Sequence, residues 1–144
     1  MQPLKNFSGL TVHLKNTGMR KRVAVVCADD PETEYAVSRA LEEGFADFVM
    51  IGDRTRLEAY PELSKFADRL EIVDIKDSDE AARHAVTMAR EGKVDVIMKG
   101  IINTDNLLRA VLNKETGILP KGAVLTHITA AEIPGYHKLL FFSM

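Results

Sequence analysis

Short apolar runs rich in β-branched residues alternate along this chain with longer segments whose apolar positions recur at helical spacing. That alternation predicts an α/β domain built on a largely parallel sheet. The first run, 22–28, is continuously apolar after Arg22, as a strand covered on both faces should be. Asp30 and Pro31 follow as an N-cap and a first helical residue, and predict a helix through Leu41 that closes at Gly44. Tyr35, Val37, Ala40 and Leu41 are its expected buried stripe. A second strand is expected over 47–51, ended by Gly52 and Asp53, then a short helix over 54–63 interrupted by Pro61. Residues 70–74 alternate like a more exposed third strand.

The pattern then repeats. Residues 78–90 predict a helix with Ala81, Ala82, Ala85, Val86 and Ala89 on its apolar face and Gly92 beyond its end. A fourth strand is expected over 94–98, followed by a helix from about Asp105 to Thr116 that Gly117 stops. Two further strands are expected over 123–129 and 138–142, joined around Pro134 and Gly135. The last of these runs up to Met144 with no turn or polar tail behind it, which predicts that the chain is cut from a longer one.

Composition narrows the class. The chain has 144 residues, 46% of them hydrophobic, enough for one domain with an ordinary core. Its 19 basic and 21 acidic residues leave a net charge of −2, which argues against a protein that coats nucleic acid. No run has the length of a membrane span, and residues 1–15 lack the apolar core of a signal peptide. Cys27 is the single cysteine, so an internal disulfide is impossible; a reducing cytoplasm is the expected setting. Inside an apolar strand, Cys27 reads as a small buried hydrophobe.

The chemistry is concentrated in Lys99-Gly100-Ile101-Ile102-Asn103-Thr104 and the helix behind it. In an open parallel sheet, ligands bind beyond the carboxyl ends of the strands, where this stretch begins. Free N–H groups at a helix start favour an anion there. Gly100 lets the backbone approach closely, Thr104 offers a hydroxyl and Lys99 a charge. Arg109, one turn into the helix and opposite an arc of Leu107, Leu108, Val111 and Leu112, is placed to reach back over the first turn. Ordinary roles fit the same residues: Thr104 as a cap, Asp105 and Arg109 as a surface ion pair, Lys99 as a solvated strand end. Neither glycine-rich nucleotide fingerprint occurs. His13, His84, His127 and His137 lack metal-ligand spacing, although Thr126-His127 is expected beside the Lys99 loop. Asp29 and Asp30 after the first strand also fit the acidic pair of a phospho-acceptor receiver domain, but Lys99 is followed by glycine where that pattern wants proline.

The Lys99 to Thr104 run, the helix from Leu107 to Glu115, Leu125-Thr126-His127 and Tyr136-His137-Lys138-Leu139-Leu140 together resemble the phosphate acetyl/butyryltransferase family. Asn113-Lys114-Glu115 is closer to the butyryl members. The resemblance starts near Lys21 and runs to the last residue. It implies a three-layer αβα lobe of the isocitrate/isopropylmalate dehydrogenase type, and transfer of an acyl group between coenzyme A and orthophosphate. Coenzyme A would be a substrate, with no tightly bound cofactor and no metal, and the protein a cytoplasmic homodimer. Thr104 and Arg109 would be catalytic, and Lys99, Gly100, Asn103, Thr104 and Arg109 would bind phosphate. Members are about twice as long as this chain. Residues 1–144 would then be the N-terminal lobe, with the serine and aspartate that serve coenzyme A and its thiol supplied from elsewhere. A non-catalytic anion-binding or oligomerising α/β domain is the alternative.

Overall fold

Two adjacent strands organise the domain, β1 (Lys21–Val26) and β2 (Ala46–Gly52), whose successive side chains point to opposite faces of the sheet. The structure, a computed structural model, describes residues 4–143. On one face Val23 and Val25 of β1 and Phe48 and Met50 of β2 pack with Val37 and Leu41 of α2 (Pro31–Glu43), Leu57 of α3 (Arg54–Glu58) and Leu63 of α4 (Pro61–Ser64). On the other, Ala24, Val26, Val49 and Ile51 pack with Ala81, Ala82 and Ala85 of α5 (Ser78–Arg90), and Leu107 and Ala110 of α6 (Thr104–Val111) lie against the same cluster. Helix, sheet and helix thus form three layers. From Val23 in β1 and from Phe48 in β2 both inner strands run continuously apolar, because each has two cores to fill.

With β3 (Leu70–Asp74) and β4 (Val96–Lys99), the sheet is fully parallel in the order β3-β2-β1-β4. A receiver domain places β1 between β2 and β3, whereas here β1 lies between β2 and β4, so the strand order removes that class. Local chemistry sets the helix ends. Asp30 caps α2, its Oδ1 accepting the Thr33 N–H at 3.1 Å and its Oδ2 the Thr33 hydroxyl, while Gly44 closes the helix in the left-handed conformation at φ 81°. Arg69 fastens the opposite end of the sheet: its guanidinium donates to the carbonyls of Leu41 and Ala46, both at 2.9 Å, and to Asp47 at 3.0 Å.

Several expectations shift. Tyr35 is 66% exposed instead of buried, because two residues of helix turn it about 200° away from Val37, and Thr33 and Ser38 take the inner face. Pro61 opens a separate helix. β4 begins at Val96, not Val94, and includes Lys99. α6 stops at Val111, since the Asn113 side chain accepts the N–H groups of Glu115 and Thr116 and so competes with the helix. On α6 the core contact falls to Leu107 and Ala110, and Leu112 is exposed. The strand expected over 123–129 is irregular up to Ile128. Only β5 (Thr129–Ala131) and β6 (Leu140–Phe142) form, as an antiparallel pair apart from the main sheet. Val124 and Ile128 have the apolar character of a strand but remain 81% and 69% exposed. Before β1, where no element is expected, α1 (Phe7–Asn16) forms behind an Asn6 cap. No helix among the described residues is long and apolar enough to cross a membrane.

The Asp30 cap sets a measurable pH dependence. Burial works to raise its carboxyl, but hydrogen bonds from Thr33 and then Glu32 together outweigh it, and the group lies below the ordinary carboxylate range. A depressed carboxyl stabilises the fold above its unfolded value and loses that contribution as pH falls through the folded one. Asp30→Ala is expected to cost about 1 kcal/mol in urea unfolding at neutral pH. Asp30→Asn, which keeps a capping oxygen, is expected to cost less. The gap between wild type and Asp30→Ala should narrow below about pH 4, where the unfolded carboxyl takes up its proton first.

Candidate active-site cleft

The chain leaves β1 toward β2 on one side and reaches β4 on the other, so the carboxyl ends of β1 and β4 part around a crevice. A cleft of about 620 Å³ lies there. One wall is the start of α2, with Asp30, Glu32 and Thr33; the other is the turn from Lys99 to Asn103, with Asn106 of α6 behind it and Ser78 of α5 beside it.

Backbone contact holds the two walls together. The N–H of Gly100 donates to the Val26 carbonyl and that of Ile101 to the Cys27 carbonyl, both at 2.9 Å. A Cβ at position 100 would sit 2.3 Å from the Cys27 oxygen, so this approach requires glycine. Cys27 itself adopts φ 57°, the left-handed region that a residue with a side chain rarely enters, and turns the chain out of β1. Its thiol is buried as expected, but in the turn rather than in the strand expected over 22–28, since β1 ends at Val26. Burial pushes the thiol above its ordinary range, Asp29, Asp77 and Asp79 add to the shift, and Ser78 opposes it.

The walls differ in charge. On the α2 side, Asp30 is spent on its cap and Glu32 and Glu34 occupy the first turn, so the positive end of that helix is met by its own carboxylates. Asp29, next to them, turns to Arg56 at 3.4 Å. On the α6 side, Asn103 is the N-cap residue and its side chain makes no capping bond. The N–H groups of Thr104 and Asp105 have no acceptor among the described residues. Lys99 adds a cation whose Nζ donates to the Gly100 carbonyl at 3.3 Å.

Of the residues singled out from sequence, Lys99, Gly100 and Asn103 line the cleft, and Thr104 and Arg109 do not. Thr104 is the first residue of α6 rather than its cap. Arg109 does not fold back over the first turn but lines a smaller crevice of about 140 Å³ between α5 and α6, with Asp79, Arg83 and Asn113. It forms no ion pair with Asp105 among the described residues. Asn106 belongs to both hollows and donates to Asp79 at 3.0 Å. His127 is exposed and lies outside the cleft lining. Glu32, Thr33, Ser78 and Asn106 are cleft residues that sequence pattern did not single out. The strand-end rule, applied after β1 and β3 as it was after β4, points to the first three. Among the described residues no three His, Cys, Asp or Glu side chains converge as metal ligands.

The chain is thus an open, fully parallel three-layer α/β lobe with a crevice at its switch point. Comparison with known proteins gives the lineage. The phosphate butyryltransferase of Clostridium beijerinckii is 34% identical over 140 residues, 96% of this chain and 46% of that protein. The phosphate acetyltransferase of Rickettsia felis is 32% identical over 98 residues, 67% of this chain and 28% of that protein. Among solved structures, a branched-chain phosphotransacylase from Enterococcus faecalis V583 superposes with a TM-score of 0.68 at 24% identity, covering 85% of this chain and 42% of that one, which shows a shared fold. No family model matches the chain. The chain is homologous over nearly its full length to phosphate butyryltransferase and over two thirds of it to phosphate acetyltransferase, and spans less than half the length of these curated relatives.

Gly100 offers the sharpest test of how the cleft is held. Gly100→Ala must displace backbone rather than a flexible side chain, and is expected to lower unfolding stability by about 1–3 kcal/mol, the usual range for overpacking. An unchanged urea midpoint would show that the two turns are not tightly docked.

Proposed function

We propose that residues 1–144 form the N-terminal lobe of a phosphate acyltransferase that moves a short-chain acyl group, butyryl or acetyl, between coenzyme A and orthophosphate. The observation that carries this reading is the 34% identity over 96% of the chain to a phosphate butyryltransferase. The cleft supports it by placing Lys99, Gly100 and Asn103 on one wall, next to the start of α6. In the acyl-phosphate direction the thiolate of coenzyme A attacks the acyl carbonyl, the C–S bond forms, the C–O bond to phosphate breaks, and phosphate leaves with the electron pair. Lys99 would meet the phosphoryl oxygens in the cleft, with Gly100 and Asn103 shaping the approach, and Thr104, next to Asn103 but outside the lining, would add its amide and hydroxyl. Arg109 would meet the same anion from the adjoining crevice, which shares Asn106 with the cleft. We place the enzyme in the cytoplasm as a homodimer, with coenzyme A as substrate and no tightly held cofactor.

The test is phosphate-dependent release of free thiol from butyryl-CoA by the protein expressed from its full reading frame. Turnover is expected, and Arg109→Ala is expected to lower kcat/KM by roughly 10²- to 10³-fold, the usual cost of removing one charge-stabilising donor, with the thermal midpoint unchanged. Thiol release that is absent, or indifferent to phosphate, would overturn the reading.

A further inference from the structure

Two stretches of backbone lack partners in this lobe, and the topology directs them to the same edge. β4 is an outer strand that pairs with β1 alone. The Asp95 N–H donates to the Arg22 carbonyl at 2.8 Å, and because the peptide groups of a strand alternate in direction, those of Val96 and Met98 face away from β1. They meet no partner among the described residues, and Val96 is 45% exposed. An open apolar edge is a template for another strand. The second stretch is 123–128, where Val124, Leu125 and Ile128 are exposed and Val124 to His127 make no hydrogen bond among the described residues.

The connection between them has the form of a parallel crossover. Residues 100–122 are long enough for one and include α6, which packs on the same face of the sheet as α5. The right-handed turn that carries the chain from β3 over α5 to β4 therefore carries it onward through α6 to the far side of β4. The chain beyond α6 is also held at the level where a parallel strand would start. The Ile118 N–H donates to the Val111 carbonyl at 3.1 Å, and Arg90, the last residue of α5, donates to the Glu115 carbonyl, so both helices finish together near the beginning of β4. We propose that residues 123–128 dock along the open edge of β4 as a fifth parallel strand, and that the structure describes the undocked state. Docking satisfies the free groups of Val96 and Met98 and covers apolar surface that both stretches expose. It also brings the carboxyl end of the segment level with Lys99, on the outer side of the cleft. The inference concerns the chain's own folding and does not rest on the transferase reading.

Amide hydrogen exchange in the protein expressed from its full reading frame is the test. Val96 and Met98 are expected to exchange at least roughly tenfold more slowly than exposed amides, the protection that one net hydrogen bond confers. Val124→Pro combined with Leu125→Pro removes the N–H from successive residues, one of which faces β4 in any register. That variant is expected to return Val96 and Met98 to the exposed rate while Ala24 and Val25 of β1 stay slow. Exchange of Val96 and Met98 at the exposed rate in the wild type overturns the inference. Protection that survives both prolines also overturns it, because something else then covers the edge, and protection lost on dilution does the same by assigning the edge to a second copy. If the prolines speed exchange in β1 as well, engineered disulfides decide: Val96→Cys is expected to close with Val124→Cys or with Leu125→Cys on mild oxidation, and failure of both pairs overturns the inference.

Discussion

Two hydrogen bonds between consecutive turns, from Gly100 to Val26 and from Ile101 to Cys27, fix the part of the molecule where chemistry is possible. They require a backbone at position 100 with no side chain and a carbonyl at 27 turned outward by a left-handed residue. Holding a side-chain-bearing residue in that region costs about 1–2 kcal/mol. The contacts around it offset that cost: Cys27 is buried in the α5-facing core, and its carbonyl is engaged by the Ile101 amide. Because the walls meet through main chain, their separation is set by peptide geometry rather than by adjustable side chains.

Two helix starts flank this cleft, and they are finished differently. Helix α2 is closed by its own acids: Asp30 accepts twice from Thr33, and Glu32 and Glu34 stand in its first turn. Helix α6 has Asp105 in its first turn but an asparagine cap residue whose side chain bonds nothing, which leaves amides facing outward. One helix end is therefore neutralised by its own acids and the other left open, and the open end has Lys99 next to it. The polarity of the site thus follows from capping chemistry as much as from its formal charges.

The strands and helices of the layered core were legible because their signals are local or periodic. Asp30, Pro31 and Gly44 mark both ends of α2 by side-chain and backbone chemistry that acts within a few residues, and the apolar runs of β1 and β2 reflect burial on two faces. What escaped the sequence depends on distant partners. Residues 123–128 have a strand's composition, but a strand forms only where a neighbour accepts its backbone groups, and no described strand lies beside them. The end of α6 turned on one side chain, Asn113, reaching the next turn's amides. Position 109 was correctly expected on an accessible face. Which hollow it lines is decided by Asp79 and Arg83 of α5, a helix that begins 31 residues earlier in the chain.

The placement of α5 also explains why the cleft exists. From β3 at one edge of the sheet, the chain reaches β4 at the other edge by laying α5 over β1 and β2. Ala81, Ala82 and Ala85 are fully buried at that crossing, and side chains this small let the helix lie close to Ala24 and Val26. Because α2 departs from β1 on the opposite face, no segment fills the space above the ends of β1 and β4, and the turn from Lys99 to Asn103 borders it. The crossing that orders the strands is thus also what opens the site.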